Sequence, residues 1–330
     1  PFFVMELVRG VPITEYCDEH KLSTGERLNL FITVCQAVQH AHQKGIIHRD
    51  LKPSNVIVTA HDGKAVPKVI DFGVAKATQQ SLTERTIYTR EEQFIGTPAY
   101  MSPEQVEGGA EDLDTRSDIY ALGVVLYELL TGTPPFDART LGKAGIDEVR
   151  RVIREEEPPR PSTRLSTVDG AARATLARRR QVSPERLSGL LRGDLDWIIM
   201  KALEKDRTRR YETANGLAED IRRHLADEPV SAAAPSPAYR ISKYVRRHQA
   251  GLSVAVVVAL LLAAGATMGI RMRFGELEAR AEIGKERLAK RIAEDAAEQA
   301  DRLRIFRLAE DDLDSGSVSY THLTLPTRCH

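Results

Sequence analysis

His48-Arg49-Asp50-Leu51-Lys52-Pro53-Ser54-Asn55, followed by Asp71-Phe72-Gly73, is the stretch on which the reading of this chain turns. Asn55 offers an amide oxygen and Asp71 a carboxylate on neighbouring loops, hard donors of the kind that hold a divalent cation. Moving a phosphoryl group off a nucleotide needs such a cation to offset phosphate charge. It also needs a group that orients the attacking hydroxyl and takes its proton, and positive charge beside the transferred phosphoryl. Asp50, on the same loop as Asn55, suits the first role and Lys52 the second. Gly73 lets the backbone turn just past the metal ligand.

Outward from that stretch, two β-type runs, Val56–Val58 and Lys68–Ile70, are joined by the turn His61-Asp62-Gly63. Upstream, Leu28, Phe31, Ile32, Cys35, Val38 and Ala41 recur at helical spacing within 24–44, and Gly45 stops them. His40 and His42 read as surface residues at that helix end, on different faces. Residues 1–8, rich in Phe and Val, read as a strand. Downstream, 77–98 is polar and aperiodic, a long surface loop. Residues 118–130 are apolar nearly all round, the mark of a buried helix, ended by Gly132 and Pro134-Pro135. Residues 138–192 read as short surface helices and a flexible insert, with Arg178–Arg180 and Glu155–Glu157 as solvated faces. Two amphipathic helices follow in 194–226, the first holding Trp197, then a Pro/Ala/Ser linker, 228–238.

Residues 250–270 carry no charge and span about 31 Å as a helix, the thickness of a bilayer core. Lys243, Arg246 and Arg247 precede them; Arg271 and Arg273 follow. Residues 276–308 read as a charged helix with too few strong heptad positions for a coiled coil. Across all 330 residues, 47 Lys and Arg balance 47 Asp and Glu, which argues against nucleic acid as a partner. A 42% hydrophobic content permits a sizeable core. The three cysteines form no CxxC pair, so a disulfide scaffold or structural zinc is not expected, and a reducing compartment fits. The chain opens on Pro1 in mid-pattern. Val318–Thr327, VSYTHLTLPT, resembles a reading frame running through a sequencing adapter, so 318–330 is set aside as a non-native tail.

The 48–55 and 71–73 motifs resemble the HRDxxxxN and DFG signatures of the eukaryotic-type (Hanks-type) protein kinases. Gly96-Thr97-Pro98-Ala99-Tyr100-Met101-Ser102-Pro103-Glu104 is similar to the family's peptide-binding segment, ending in its APE-type triplet. The resemblance covers roughly 1–226 and assigns roles by position. Asp50 is the catalytic aspartate, with Lys52 and Thr97 as further catalytic residues of the Ser/Thr type. Asn55 and Asp71 hold the metal and contact the nucleotide. Met5 is the gatekeeper, and the backbones of Glu6 and Val8 bond adenine. His48 packs on Phe72, Asp118 anchors the catalytic loop, and Arg210 pairs with Glu104. Arg49 can pair with a phosphorylated loop, for which Thr83, Thr86 and Thr89 are the expected autophosphorylation sites, ahead of Ser81.

The implied fold is an α+β protein-kinase-like one: a mainly α C-lobe, the N-lobe largely missing, then a single transmembrane helix and a charged helix. The implied domains are a kinase domain over 1–227, a linker and basic juxtamembrane segment over 228–249, a transmembrane helix over 250–270 and an extracytoplasmic helical segment over 271–317. The arrangement resembles bacterial transmembrane receptor Ser/Thr kinases, with the kinase domain cytoplasmic. It implies ATP and Mg2+ or Mn2+ as cofactors, and Ser/Thr protein substrates. The lipid bilayer is a further partner, and Gly265 and Gly269 offer a dimer contact. The family's glycine-rich loop, β3 lysine and helix-C glutamate are not found here, so these residues alone are expected to have little kinase activity. The alternative is a pseudokinase scaffold. A small-molecule kinase is disfavoured by the GTPAYMSPE segment.

Overall fold

The computed structural model describes residues 6–61, 63–72, 98–107, 113–137, 141, 145–234 and 236–314. The first elements are short: β1 (Val11–Pro12) and α1 (Ile13–Glu19). Of the strand expected over 1–8, residues 6–8 are described and form no strand; extended pairing starts only at Val11, opposite Val58. Glu6 and Leu7 are exposed, so no apolar face holds them to a sheet.

Helix α2 (Thr24–Gln43) starts at a reciprocal capping box, with Ser23 N donating to Glu26 Oε2 at 2.8 Å. Its predicted stripe is buried from Leu28 through Ala41. Strands β2 (Val56–His61) and β3 (Lys64–Val69) form the predicted hairpin, in the register Val56↔Val69, and β1 completes an antiparallel sheet in the order β1-β2-β3.

A four-residue helix, α3 (Pro103–Val106), precedes the buried helix α4 (Thr115–Thr131). The latter starts ahead of the expected 118 because Asp114 caps it, accepting from Arg116 N at 2.7 Å. It ends at Gly132, whose φ of 85° is left-handed and whose N–H donates to Glu128 O at 2.7 Å. Two buried arginines satisfy the next two carbonyls. Arg27 Nη1 donates to Leu129 O at 3.2 Å, and Arg180 donates to Leu130 O through Nε at 2.7 Å and to Leu129 O through Nη2 at 3.2 Å. Their positive charge lies at the negative end of the helix dipole. Burial, with Arg27 adding repulsion, brings the Arg180 guanidinium down to about 10. The solvated-face reading of Arg178–Arg180 is therefore wrong for Arg180, which is 1% exposed.

The 138–192 stretch is likewise less superficial than expected. Helices α5 (Ile146–Glu155), α6 (Pro161–Thr167), α7 (Gly170–Arg179) and α8 (Pro184–Leu191) bury Val149, Ile153, Leu165, Ala177, Leu187 and Leu191. Helices α9 (Asp194–Ala202) and α10 (Ala214–Leu225) match the two amphipathic helices of the sequence. Gly123 lets α4 and α9 approach: a Cβ there would stand 2.8 Å from Ala202 Cβ. One core joins Phe31 and Val34 of α2, Leu122 and Leu126 of α4, Ile198 and Ile199 of α9 and Leu217 of α10. Each such side chain contributes about 2 kcal/mol by leaving water.

The expected linker also folds back. Val230 is buried, and Asp220 on α10 accepts from Ser231 N at 2.7 Å, Ser231 Oγ at 2.8 Å and Ala232 N at 2.9 Å. Helix α11 (Pro237–Arg247) follows. The chain divides into two units, 1–249 and 250–330. The second is dominated by α12 (Gln249–Asp314), in which the uncharged and charged segments form one continuous helix. Within it, Ser253–Leu308 contains a window long and apolar enough to cross a membrane. The tail set aside from 318 lies outside the described residues.

Candidate active site

The hairpin and α4 together fix the 48–55 loop. Asp118, in the first turn of α4, is 1% exposed. Its Oδ2 accepts from His48 N at 2.8 Å and its Oδ1 from Arg49 N at 2.8 Å, as the anchor role requires. A third donor was not foreseen. His42 Nε2 lies 2.7 Å from Oδ2, with its side chain 4% exposed, so His42 is a buried partner rather than a surface residue. His40 is exposed, as expected.

His48 is fully buried. Its Nε2 donates to Ile70 O at 2.9 Å, and its Nδ1 accepts from Asp50 N at 3.3 Å. The two contacts assign the Nε2–H tautomer and engage both nitrogens, leaving none to act as a base. The ring lies against Phe72, centroids 4.8 Å apart, as expected.

Asp50, Lys52 and Asn55 are brought together. Lys52 Nζ donates to Asp50 Oδ2 at 2.9 Å. Asn55 Nδ2 donates to Asp50 O at 2.8 Å and lies 3.4 Å from Asp50 Oδ2. That commits the amide nitrogen and leaves Asn55 Oδ1 as the atom for a cation. Asn55 O accepts from Ile70 N at 2.9 Å, which joins the 48–55 loop to the residue before Asp71. Asp71 and Arg49 both adopt left-handed backbone, φ 56° and 64°. For Arg49 this conformation costs about 1 kcal/mol or more, held in place by the Asp118 bond to its N–H.

A second tie runs to α3. Gln105 Nε2 donates to Arg49 O at 2.8 Å, so both backbone polar groups of Arg49 are held. Glu104 and Arg210 form the expected pair, two parallel bonds of 2.8 and 2.9 Å. Arg210 also donates to the carbonyls of Glu204, Lys205 and Arg116, and Ser117 Oγ to Glu104 Oε1 at 2.7 Å. Burial alone would raise the Glu104 carboxyl; the Arg210 and Ser117 bonds override it and hold the group below its ordinary range. Tyr100 Oη donates to Glu128 Oε2 at 2.5 Å, yet burial keeps Glu128 above the ordinary carboxylate range.

The donor chemistry of Asn55 Oδ1 and the Asp71 carboxylate fits Mg2+ or Mn2+. Among the described residues, no group of three His, Cys, Asp or Glu side chains could hold a metal by itself. A cation seated on Asn55 and Asp71 would complete its coordination with oxygens from water or a bound ligand, as is usual for Mg2+.

Residues 1–223 match the protein kinase domain. The chain belongs to the protein kinase family. Among kinase relatives, the serine/threonine-protein kinase PknB of Mycobacterium tuberculosis is 36% identical over 233 residues, covering 70% of this chain and 32% of that protein. A probable PknB of Corynebacterium glutamicum is 35% identical over 235 residues, covering 71% and 31%. A probable serine/threonine-protein kinase of Streptomyces coelicolor is 36% identical over 245 residues, covering 74% and 31%. The chain thus spans about a third of the length of the curated relatives it matches. The crystal structure of the Mycobacterium tuberculosis PknI kinase domain aligns at a TM-score of 0.42 and 24% identity, over 66% of this chain and 64% of that one. At that score the kinase fold rests on the family match instead.

Of the kinase site residues expected from the sequence, Asp50, Lys52, Asn55, His48 and Phe72 gather at one place, and Asp71 adjoins them in the chain. Glu6 is exposed and pairs with Lys68 Nζ at 3.2 Å, and Val8 is half-buried. Met5, Gly73, Thr83, Thr86, Thr89 and Thr97 lie outside the described residues. His42 and Gln105 were missed. Their partners, Asp118 and Arg49, are distant in sequence, so no local pattern signals them.

Proposed function

We propose that this chain carries the catalytic and peptide-binding part of an ATP-dependent protein serine/threonine kinase anchored in a membrane. The observation that carries this reading is the Asp50–Lys52–Asn55 cluster, on a loop held to Asp118 and joined through Ile70 to Asp71. A divalent metal held by Asn55 and Asp71 would supply charge compensation on the ATP phosphates. Asp50 orients the substrate hydroxyl and accepts its proton as the oxygen bonds to the γ-phosphorus and the bond to the departing ADP breaks. Lys52, already beside Asp50, offsets charge on the transferred group.

In the same reading, the backbones of Glu6 and Val8, beside Met5, bond adenine. Thr97 contributes to the choice of Ser/Thr hydroxyls. Thr83, Thr86 and Thr89 are autophosphorylated, and Arg49 pairs with the phosphates. Residues 1–227 form the kinase domain, and 250–270 spans the bilayer with that domain in the cytoplasm, where ATP is. Residues 271–317 lie outside, and Gly265 and Gly269 contribute to a homodimer contact. The relatives' names support the Ser/Thr class, and the apolar window of α12 supports the anchor.

Transfer of the labelled γ-phosphoryl group from ATP to a Ser/Thr protein substrate, by the full gene product carrying this chain, tests the reading. Asp50→Asn is expected to lower transfer by about 10²-fold or more while leaving nucleotide affinity within about twofold. Undiminished transfer in that variant overturns it.

A further inference from the structure

Helix α11 presents two faces of opposite character. On one, Tyr239 Oη donates to Asp194 Oδ1 at 2.8 Å and accepts from Val230 N at 3.2 Å. One turn on, Lys243 is 6% exposed, with Nζ 2.5 Å from Asp194 Oδ2. Trp197 meets the Tyr239 ring edge-on at 5.4 Å. This face is seated on the kinase domain. Ile241, Tyr244 and Val245 lie on the opposite face, at about 100° per residue, and are 62%, 61% and 45% exposed. Single exposed apolar side chains are ordinary, but three in one stripe of an amphipathic helix call for an occupant.

The charge pattern and the chain's continuation identify that occupant. The helix contains Arg240, Lys243, Arg246 and Arg247 and no acidic residue. Lys243 is neutralised by Asp194, and Arg247 Nη1 pairs with Glu228 at 2.7 Å. Arg240 is exposed, with no acidic partner among the described residues. Immediately downstream begins the uncharged stretch 250–270.

We propose that α11 is a membrane-interface helix. Its Ile241–Tyr244–Val245 face enters the headgroup region of an anionic bilayer with Arg240 at phosphate level, while Tyr239 and Lys243 hold the kinase domain on the other side. The chemistry suits each part: aliphatic groups bury shallowly, tyrosine prefers the interface, and arginine extends its charge to lipid phosphates. The inference rests on reading 250–270 as a bilayer-spanning segment.

Tryptophan quenching by brominated lipids tests it in the full chain reconstituted into vesicles. In a Trp197→Phe background, Tyr244→Trp probes α11 and Val256→Trp probes the uncharged stretch. In phosphatidylcholine vesicles with about 30% phosphatidylserine, Tyr244→Trp is expected to lose at least about half its emission. Quenching should weaken in pure phosphatidylcholine and on adding Arg240→Glu. An unquenched Tyr244→Trp beside a quenched Val256→Trp overturns the interface helix and leaves the anchor standing; a second copy of the chain covering the face gives this result. If neither is quenched, the anchor reading fails and takes this inference with it. Quenching at 244 that ignores both lipid charge and Arg240→Glu rejects the anionic recognition claimed here.

Discussion

Asp118 is one residue with three donors on it, from His42, His48 and Arg49. The two backbone N–H groups it accepts belong to the two residues that precede Asp50, so its role is positional. Asp118→Asn keeps one acceptor oxygen and turns the other into a donor facing donors. That leaves one or two buried N–H groups unsatisfied, at about 1–3 kcal/mol each. The expected outcome, in the full gene product, is a fall in kcat of about tenfold or more with KM for ATP little changed. A fall confined to thermal stability, with kcat intact, would show that Asp118 serves the fold alone. The neighbouring residues show how much was legible at this scale. The identities of Asp50, Asn55 and Asp71 are local and can be read from spacing. The left-handed backbone at Arg49 is not, because that residue type rarely adopts it. Bonds to Asp118 and Gln105, made across the fold, hold it there.

Between elements, the same distinction holds. Helix α2, helix α4 and the β2–β3 hairpin follow from periodicity and turn chemistry, and their positions matched to within a few residues. The roles of Arg27 and Arg180 do not follow from sequence, since the carbonyls they cap are 102 and about 50 residues away. A triple-arginine run looks solvated until a helix end needs donors. Likewise 228–234 has a linker's composition, but Asp220 gives it three acceptor contacts. Arg210 is the element-scale tie most open to measurement. Side chain and ion pair are buried, joining α3, the start of α4 and the 204–205 loop. Arg210→Lys keeps the charge but loses the two-pronged geometry and most of the carbonyl bonds. It should lower stability by about 2–4 kcal/mol in chemical denaturation, and Arg210→Ala by about 3–5 kcal/mol, since the largely buried Glu104 carboxylate then loses its ion-pair partner and keeps the Ser117 hydroxyl bond. Glu104→Gln in the Arg210→Ala background should recover part of that loss. A mutant cycle with no interaction energy would contradict this account. Gly123→Val, forced against Ala202, should cost about 1–3 kcal/mol by overpacking.

For the kinase unit as a whole, the seam between the domain and α11 is electrostatic. Asp194 receives His224 Nδ1 at 3.0 Å, Tyr239 Oη at 2.8 Å and Lys243 Nζ at 2.5 Å. Burial alone would raise its carboxyl, but the bonds from His224, Lys243 and Tyr239 outweigh burial and hold it at about 2, against an ordinary 3.8. A carboxyl whose folded value is depressed stabilises the native state above its unfolded value. That contribution disappears as pH falls from about 4 through about 2. A shift of this size corresponds to about 2 kcal/mol. Acid should therefore release α11 first, because protonating Asp194 also leaves the buried Lys243 ammonium without its nearest anion. Trp197, the single tryptophan, lies against Tyr239 of that helix and reports the event directly. Its emission should shift to the red between about pH 4 and pH 2, before the far-ultraviolet helical signal of the core is lost. Asp194→Asn cannot titrate, so its Trp197 emission should already resemble the released form at neutral pH and should not change across that window. A variant that follows the wild-type acid transition would place the responsible carboxylate elsewhere and remove Asp194 as the group joining α11 to the kinase domain.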